Sequence, residues 1–297
     1  MGKAALITGA SSGMGLHYAN QLAEYGYNTI LVSNQKEQVE QAAKDIASRL
    51  CYTYVELNGS SEAGNCSCEA GYSSNNGAEN AGLGSSPFWV AGMYMDLSRP
   101  ESAKELFDLC KSNNIEVEVL INNAGIFFFN DIADCSPARV STIVNLHVYT
   151  VTMMCRYFGE DMRERRKGYI LNMSSISAHT PFCGISLYTA SKSYIRTMTK
   201  AFRLEMKEFG VRVMVVSPGA VATDLYNLPK NLQKLGVSLG IIYRPEKLVK
   251  KALYKLFFRT NKEFVPGFIN RLFKPVYFLL PEFFKMWARK KTACLKK

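Results

Sequence analysis

The chain has 297 residues, of which 47% are hydrophobic and 21% are charged. This composition supplies a sizeable core and excludes global disorder. The net charge of +11 leaves an anionic cofactor, an anionic membrane surface and nucleic acid open as partners. The eight cysteines include no C-x-x-C pair, and the chain shows neither a secretory signal nor an apolar run of about eighteen residues. We therefore expect a cytoplasmic protein with reduced cysteines and no membrane-spanning helix.

The first predicted unit is a strand, a glycine-rich loop and a helix. An apolar run at 4–8 leads into the loop at 9–15, and a helical pattern then continues to about Gly26. This order places backbone N–H groups and a helix N-terminus beneath a pyrophosphate. The spacing is T-G-x-x-x-G-x-G rather than the commoner G-x-G-x-x-G. We expect phosphate binding by Gly9, Ser11, Ser12, Gly13, Met14 and Gly15.

The end of the second predicted strand, at 28–32, bears on the choice of cofactor. In a dinucleotide-binding fold, an acidic residue just past this strand hydrogen-bonds the ribose 2′-OH and repels a 2′-phosphate. This chain has Ser33, Asn34, Gln35 and Lys36 there, and its first acid is Glu37. The pattern favours NADP(H), while the absence of an arginine keeps NAD(H) open.

A helix is predicted at 36–50, and residues 58–86 then depart from the alternation of short strands and helices. The segment is rich in Gly, Ser, Asn and Ala and is long for a structureless loop within a domain. Cys66 and Cys68 stand in it without a matching His or Cys cluster. We therefore predict a surface insertion here and no metal site.

Strands and helices alternate through the rest of the chain. Strand character occurs at 88–97, 117–121, 169–173 and 211–216, and helices are predicted at 101–111, from Pro137 onward and at 187–209. Apolar strands that alternate with helices are typical of a parallel sheet covered on both faces. The predicted fold class is α/β, doubly wound and Rossmann-type, with a mainly parallel sheet.

The segment from Ser175 to Lys192 carries the residue types that chemistry needs. Tyr188 and Lys192 stand four residues apart in a predicted helix, so both side chains lie on one face. A fixed cation beside a phenol makes the hydroxyl a better proton donor near neutral pH. Ser175 follows the strand at 169–173, which could aim its hydroxyl at the same point. Tyr-x-x-x-Lys alone is a weak signal, because any long helix can carry it on a solvated face.

Taken in order, these elements resemble the short-chain dehydrogenase/reductase family from about Lys3 to Thr223. The resemblance rests on Thr8-Gly9 with Gly13-x-Gly15, Asp96, Asn122-Asn-Ala-Gly125, Asn145, Ser175, Tyr188-x-x-x-Lys192 and Pro218-Gly219 with Thr223. It implies a seven-stranded sheet and hydride transfer between a nicotinamide and a carbonyl or secondary alcohol. Dimers or tetramers of identical chains are also implied.

The resemblance implies a role for each catalytic residue. Tyr188 is expected to donate a proton to the substrate oxygen, and Ser175 to hydrogen-bond the same oxygen. Lys192 is expected to hold the nicotinamide ribose and to poise Tyr188. Asn145 is expected to anchor a water that links Lys192 to solvent, and the alternative is a residue that only kinks its helix.

The remaining cofactor contacts are implied in the same way. They comprise Ser33 and Asn34, Asp96 and Leu97 at the adenine, Asn123, Ala124 and Gly125 in the cleft, Tyr188 and Lys192, and Pro218, Gly219, Val221 and Thr223 near the carboxamide. Phe127 to Phe129 either meet the substrate or belong to the core. His17, His147 and His179 are interpreted as structural histidines, and the alternative for His179 is a place at the border of the substrate.

The C-terminal part diverges from the family pattern. We predict one domain at 1–255, in which 225–243 caps the substrate, and an extension at 256–297. Aromatic and basic residues interleave at 257–291, which is typical of a segment at a membrane surface, a pocket wall or a subunit interface. Much of the positive charge lies in this tail and no nucleic-acid motif occurs, so no nucleic-acid partner is predicted.

These features favour a bulky lipophilic substrate. The predicted enzyme is an NADP(H)-preferring reductase of a 3-ketosphinganine, a 3-oxoacyl chain or a steroid, cytoplasmic or peripheral at a membrane. The alternative is a non-catalytic module that senses NADP(H) or acts as a scaffold. The complete set of Asn145, Ser175, Tyr188 and Lys192 argues against that alternative.

Overall fold

The computed structural model describes residues 3–57, 87–222, 242–259, 262–267, 281–283 and Met286. The predicted insertion at 58–86, Thr223, nearly all of the predicted cap at 225–243 and most of the tail lie outside the described residues. The expectations for those segments therefore stay predictions.

One parallel sheet organises the described residues. Its strands are β1 (Ala4–Thr8), β2 (Asn28–Ser33), β3 (Thr53–Val55), β4 (Trp89–Tyr94), β5 (Val117–Asn122), β6 (Gly168–Met173), β7 (Val211–Val216) and β8 (Glu263–Phe264). They lie in the order β3-β4-β2-β1-β5-β6-β7-β8, and every pair is parallel. The sheet therefore has eight strands rather than the predicted seven. The additional short edge strand, β3, pairs Thr53 with Trp89 and has no long apolar run to announce it.

Seven α-helices connect and flank these strands in the described ranges. They are α1 (Gly13–Glu24), α2 (Lys36–Leu50), α3 (Ser102–Ser112), α4 (Pro137–Val144), α5 (Thr150–Glu164), α6 (Ser186–Lys207) and α7 (Pro245–Phe258). A π-helical turn at Asn145–Tyr149 joins α4 to α5, and short 3-10 turns occur at Ile132–Asp134 and Ile176–His179. Helix α7 continues past residue 255, where we placed the end of the domain, and β8 beyond it pairs with β7.

The apolar side chains form a core on each face of the sheet. Successive residues of a strand point to opposite faces, so Leu6 and Ile7 belong to different cores. Helices α1, α2 and α7 cover the Ile7 face, and α3, α5 and α6 cover the Leu6 face. Because both faces are covered, the strands are buried along most of their length, as parallel sheets require. The predicted doubly wound α/β class is confirmed.

The strand order reverses its direction at β1, which creates a switch point between β1 and β5. From β1 the chain moves to β2 on one side, whereas β5 lies on the other side of β1. Open α/β sheets bind ligands at such a switch point, outside the carboxyl ends of the strands. The loops after β1 and β5 meet there. In the part of the chain that the structure describes, no helix is long and apolar enough to cross a membrane.

Candidate active site

A cavity of about 620 Å³ opens at this switch point. Eighteen of the residues predicted from the sequence line it: Gly9, Ser11, Ser12, Gly13, Met14, Ser33, Asn34, Asp96, Leu97, Asn123, Ala124, Gly125, Ser175, Tyr188, Lys192, Pro218, Gly219 and Val221. Gly15 and Asn145 are not among the lining residues, and Thr223 is outside the described ranges. Chain segments that are far apart in sequence thus bring the predicted cofactor and catalytic residues to one place.

The loop after β1 is fastened to the loop after β5. Thr8 Oγ1 accepts hydrogen bonds from the backbone N–H of Asn123 at 2.9 Å and of Ala124 at 3.0 Å. The Asn123 amide in turn donates to the carbonyl oxygens of Thr8 at 3.0 Å and Gly9 at 3.1 Å. Asn123 therefore fixes both sides of the switch point, which is a structural contribution to the cavity in addition to its position on the wall.

Gly15 shapes the glycine loop from behind. A Cβ atom at this position would lie 2.1 Å from the carbonyl oxygen of Gly9, a distance that no real contact reaches. Gly9 itself has a φ of +65°, in the left-handed region that favours glycine. The two glycines let helix α1 begin directly against the loop, so that Gly13 and Met14 at its N-terminus face the cavity.

The end of β2 presents hydroxyl and amide groups rather than an acid. Ser33 Oγ donates to Ser11 Oγ at 3.0 Å, and Ser11 Oγ donates to Gln35 Oε1 at 3.2 Å. Asn34 is exposed at the same rim of the cavity. Across from it, Asp96 Oδ1 accepts from the backbone N–H and the hydroxyl of Ser98 at 2.9 and 2.7 Å. This carboxylate therefore organises its own loop.

Tyr188 and Lys192 lie on one face of helix α6, as their spacing predicts. Each side chain is 5% exposed, and the Lys192 Nζ atom lies 5.7 Å from the centre of the Tyr188 ring. Lys192 Nζ donates to the carbonyl oxygen of Met173 at the end of β6, at 3.1 Å. Burial lowers the pKa of the Lys192 ammonium to about 8. The pair therefore combines a phenol with an ammonium group that burial makes easier to deprotonate.

Ser175 begins the 3-10 turn that follows β6. Its Oγ accepts hydrogen bonds from the backbone N–H of Ser177 at 3.2 Å and from the Ser177 hydroxyl at 3.0 Å. Ile176 N donates to the carbonyl oxygen of Pro218 at 2.8 Å, which holds this turn against the loop after β7. The Ser175 hydroxyl keeps its own proton to donate toward the cavity.

The π-helical turn between α4 and α5 contains both Asn145 and His147. The half-buried Asn145 donates from its amide to Ser141 Oγ at 3.5 Å on the same helix. His147 is completely buried, and its ring meets the Tyr188 ring edge to face, with 5.9 Å between the ring centres. The structure thus places His147 against Tyr188, a contact that the residue spacing does not announce. The role expected of Asn145 stays a prediction.

An apolar cluster covers the outer side of Tyr188. The Phe127 ring meets the Tyr188 ring edge to face, with 4.9 Å between the ring centres. It meets the Phe129 ring in the same way, also with 4.9 Å between the centres. Phe128 points inward, is 9% exposed, and lies under the Arg139 guanidinium at 4.5 Å. Phe128 therefore packs in the core, while Phe127 lies against the Tyr188 ring. The expected contact of this triplet with a substrate stays a prediction.

The other two histidines each lie beside a carboxylate. His17 Nε2 is 3.5 Å from Glu246 on the surface, and His179 Nε2 is 3.1 Å from Glu263, whose side chain is 8% exposed. Burial alone would raise the pKa of the Glu263 carboxyl, but His179, Arg196, Lys200 and Ser217 hold it well below its usual range. Within the described ranges, no group of three or more His, Cys, Asp or Glu side chains could hold a metal ion.

The fold and the site together define a Rossmann-type protein with its cavity at the switch point and a buried Tyr–Lys pair in the wall. The short chain dehydrogenase family model matches residues 3–67 and 68–231. The chain therefore belongs to the short-chain dehydrogenase family, as the resemblance predicted.

Named relatives and solved structures agree with this assignment. The 17-beta-hydroxysteroid dehydrogenase type 3 of Mus musculus is 27% identical over 229 residues, 76% of this chain and 62% of that protein. The very-long-chain 3-oxoacyl-CoA reductase of Anas platyrhynchos is 28% identical over 237 residues, 77% of this chain and 63% of that protein. The chain thus spans less than two thirds of the length of these relatives. A solved 7beta-hydroxysteroid dehydrogenase has a TM-score of 0.76 at 20% identity, covering 97% of this chain and 96% of that one.

Proposed function

We propose that this protein is an NADPH-dependent reductase of a bulky lipophilic ketone. The observation that carries the proposal is the buried Tyr188–Lys192 pair, which opens on the switch-point cavity beneath the Phe127 ring. A phenol with a neighbouring cation is suited to proton transfer, and the Phe127 ring packs against this phenol. Ser175 on the opposite segment supplies a second hydroxyl at the same cavity.

The cavity walls fit a dinucleotide. The α1 N-terminus and the loop at 9–15 offer backbone N–H groups to a pyrophosphate, and a Cβ at Gly15 would destroy this close backbone approach. Asp96 and Leu97 line the adenine end, and Gly219 and Val221 line the other end beside Lys192. When bound, NADPH supplies the hydride for the carbonyl carbon. Ser175 and Tyr188 orient the carbonyl oxygen, and Tyr188 donates the proton that this oxygen takes up.

The substrate side is apolar. Phe127, Ile126 and Leu146 border the cavity or the Tyr188 ring, and they belong to the same region of the wall. Burial of a lipid chain or a steroid against such side chains contributes about 25 cal/mol per Å² of apolar surface. The named relatives, a 17-beta-hydroxysteroid dehydrogenase and a very-long-chain 3-oxoacyl-CoA reductase, support steroid or 3-oxoacyl ketones as first candidates, with a 3-ketosphinganine as the third.

Tyr188→Phe tests the reaction. The substitution keeps the ring and its contacts and removes the proton donor, so we expect kcat for ketone reduction to fall by about 10³-fold. NADPH oxidation is measured with 3-oxoacyl, 3-ketosphingoid and steroid ketones of graded size, and NADPH binding is followed by fluorescence. Activity that survives Tyr188→Phe contradicts the mechanism. A wild-type protein that binds NADPH and reduces none of these ketones supports the sensor or scaffold instead.

Asn34→Asp tests the cofactor preference. A carboxylate at the rim beside Ser33 repels a 2′-phosphate and accepts a hydrogen bond from a ribose 2′-OH. We expect the ratio of kcat/KM for NADPH to that for NADH to fall by about tenfold or more, about 1.4 kcal/mol. Asn114→Asp is the matched control, because it makes the same change at an exposed position that does not line the cavity. An unchanged ratio in Asn34→Asp contradicts recognition of the 2′-phosphate at this rim.

A further inference from the structure

The π-helical turn at Asn145–Tyr149 turns one histidine toward the active site. Single π turns inside a longer helix are rare and are frequently found at functional sites. Here the turn leaves Asn145 half-buried and bonded to Ser141 on its own helix, while His147 is completely buried. His147 therefore occupies the interior position that faces helix α6 and the loop after β5.

A directed chain of hydrogen bonds passes through the His147 ring. The backbone N–H of Ile126 donates to Nε2 at 3.0 Å, so Nε2 carries no proton. In a neutral ring the proton is then on Nδ1, which lies 2.8 Å from Ser191 Oγ. Ser191 Oγ donates its own proton to the carbonyl oxygen of Tyr188 at 2.8 Å, which leaves it free to accept from Nδ1. In all three hydrogen bonds, the donor thus lies on the Ile126 side and the acceptor on the Tyr188 side.

We propose that His147 is a positioning residue of the reductase described above, which in its neutral Nδ1–H form fixes Tyr188 relative to the cofactor loop. The chain of bonds starts at Ile126, directly after Gly125 in the cavity wall, and ends on the backbone of Tyr188 itself. Phe127, the next residue, contacts the Tyr188 ring, so the same link also sets the substrate side.

The surroundings of Gly125 show how closely the groups are assembled. A Cβ atom at Gly125 would lie 2.9 Å from His147 Nε2 and 3.4 Å from Lys192 Nζ. The histidine, the lysine and the cofactor loop therefore share one contact point. A displacement of about 1 Å between a catalytic group and its substrate costs about 100-fold in rate. Removal of the His147 link is expected to allow such a displacement.

The neutral state of His147 follows from geometry and is supported by electrostatics. An imidazolium would direct an N–H from Nε2 at the N–H of Ile126, which places two donors against each other. Burial, followed by the nearby Lys192 ammonium, lowers the pKa of His147 well below its usual value. From helix α6 the titratable groups that face the ring are Tyr188 and Lys192. Of these, the Lys192 ammonium opposes a positive charge on the ring.

Substitution of His147 separates a positioning role from simple space filling. His147→Phe keeps the ring and removes both hydrogen bonds, and His147→Gln keeps an acceptor for Ile126 N–H and a donor for Ser191. For ketone reduction we expect His147→Phe to lower kcat about 100-fold with KM for NADPH within about threefold of wild type. His147→Gln is expected to recover kcat to within about tenfold of wild type. His17→Phe, the same change on the surface of α1, is expected to stay within about twofold.

Two results would overturn the proposal. One is a kcat for His147→Phe within about threefold of wild type in a folded protein. The other is a loss of kcat in Asn145→Ala that equals or exceeds the loss in His147→Phe, which would return the role to Asn145.

The ring state gives a readout that needs no turnover and no folded variant. We expect ¹⁵N NMR of the wild-type protein at about pH 7 to show a neutral His147 with its proton on Nδ1. An imidazolium or an Nε2–H form contradicts the proposal. If the wild type reduces no ketone, the reductase assignment fails. The NMR result still decides whether His147 is neutral, with its proton on Nδ1.

Discussion

Two polar clusters contact helix α6, which carries Tyr188 and Lys192. One consists of neutral hydrogen bonds and the other is built around a buried negative charge. The neutral cluster consists of His147, Ile126, Ser191 and the Tyr188 carbonyl, and no member carries a charge. The charged cluster places the Glu263 carboxylate, 8% exposed, among Arg196, Lys200, His179 and Ser217. A directed neutral chain fixes positions at small electrostatic cost, whereas a buried charge is stable only while its partners remain.

The location of the charged cluster explains why a buried carboxylate is retained there. Strand β8 has two residues and pairs with β7 through Val215 and Val216, which is a weak attachment for the edge of a sheet. Glu263 adds a bidentate contact to Arg196 on α6, at 2.9 and 3.1 Å. Ser217 Oγ donates to the same carboxylate at 2.8 Å, one residue before the Pro218–Gly219 wall of the cavity. The cluster thus attaches the last described strand to the cofactor side of the site.

The largest expected effect breaks the charged cluster. Glu263→Gln keeps the shape and removes the charge that Arg196 and Lys200 neutralise. We expect the free energy of unfolding in urea to fall by about 3 kcal/mol, because one partner of a buried ion pair is lost. Glu246→Gln is the matched control on the surface, where its pairing with His17 predicts a change below about 1 kcal/mol. A loss below about 1 kcal/mol in Glu263→Gln would show that the cluster does not hold β8.

Sequence patterns predict the fold where a single segment contains its own signal. The six longer strands are apolar runs, and the glycine loop follows the first of them directly, so both are visible in the sequence. Strand β3 has three residues, all half-buried, and β8 has only two residues in all, and such short segments lack a measurable period. β8 depends instead on Glu263, whose partners come from α6, from Ser217 directly after β7, and from the 3-10 turn at 176–179.

The same distinction holds for the site. Tyr188 and Lys192 are predicted together because an α-helix puts positions four apart on one face. The contact of His147 with Tyr188 is not visible in the sequence, because a π turn rather than an uninterrupted α-helix decides which side chains face inward there. The role expected of Asn145 stays a prediction. The hydroxyl of Ser191 is equally invisible, since its role depends on a ring from a different helix.

The smaller expected effects concern how the free energy of unfolding depends on pH, which differs between the two clusters. The pKa of His147 is lowered in the folded protein, so its contribution to stability is complete above the unfolded value of about 6.5 and is lost as the pH falls below it. The pKa of Glu263 is also lowered, and its contribution is complete above the unfolded value of about 4.3 and is lost below it. Both clusters weaken in acid, but in separate windows.

Unfolding in urea between about pH 8 and pH 3.5 for the wild type, His147→Gln and Glu263→Gln resolves these windows. The stability advantage of the wild type over His147→Gln is expected to be constant above about pH 6.5 and to fall below it by up to about 1.4 kcal/mol per pH unit. The advantage over Glu263→Gln is expected to stay constant down to about pH 4.3 and then to fall with the same limiting slope. An advantage over His147→Gln that is still constant at about pH 5 would mean that the folded protein protonates the ring without penalty, and a chain of neutral hydrogen bonds from Ile126 to Tyr188 would then be excluded.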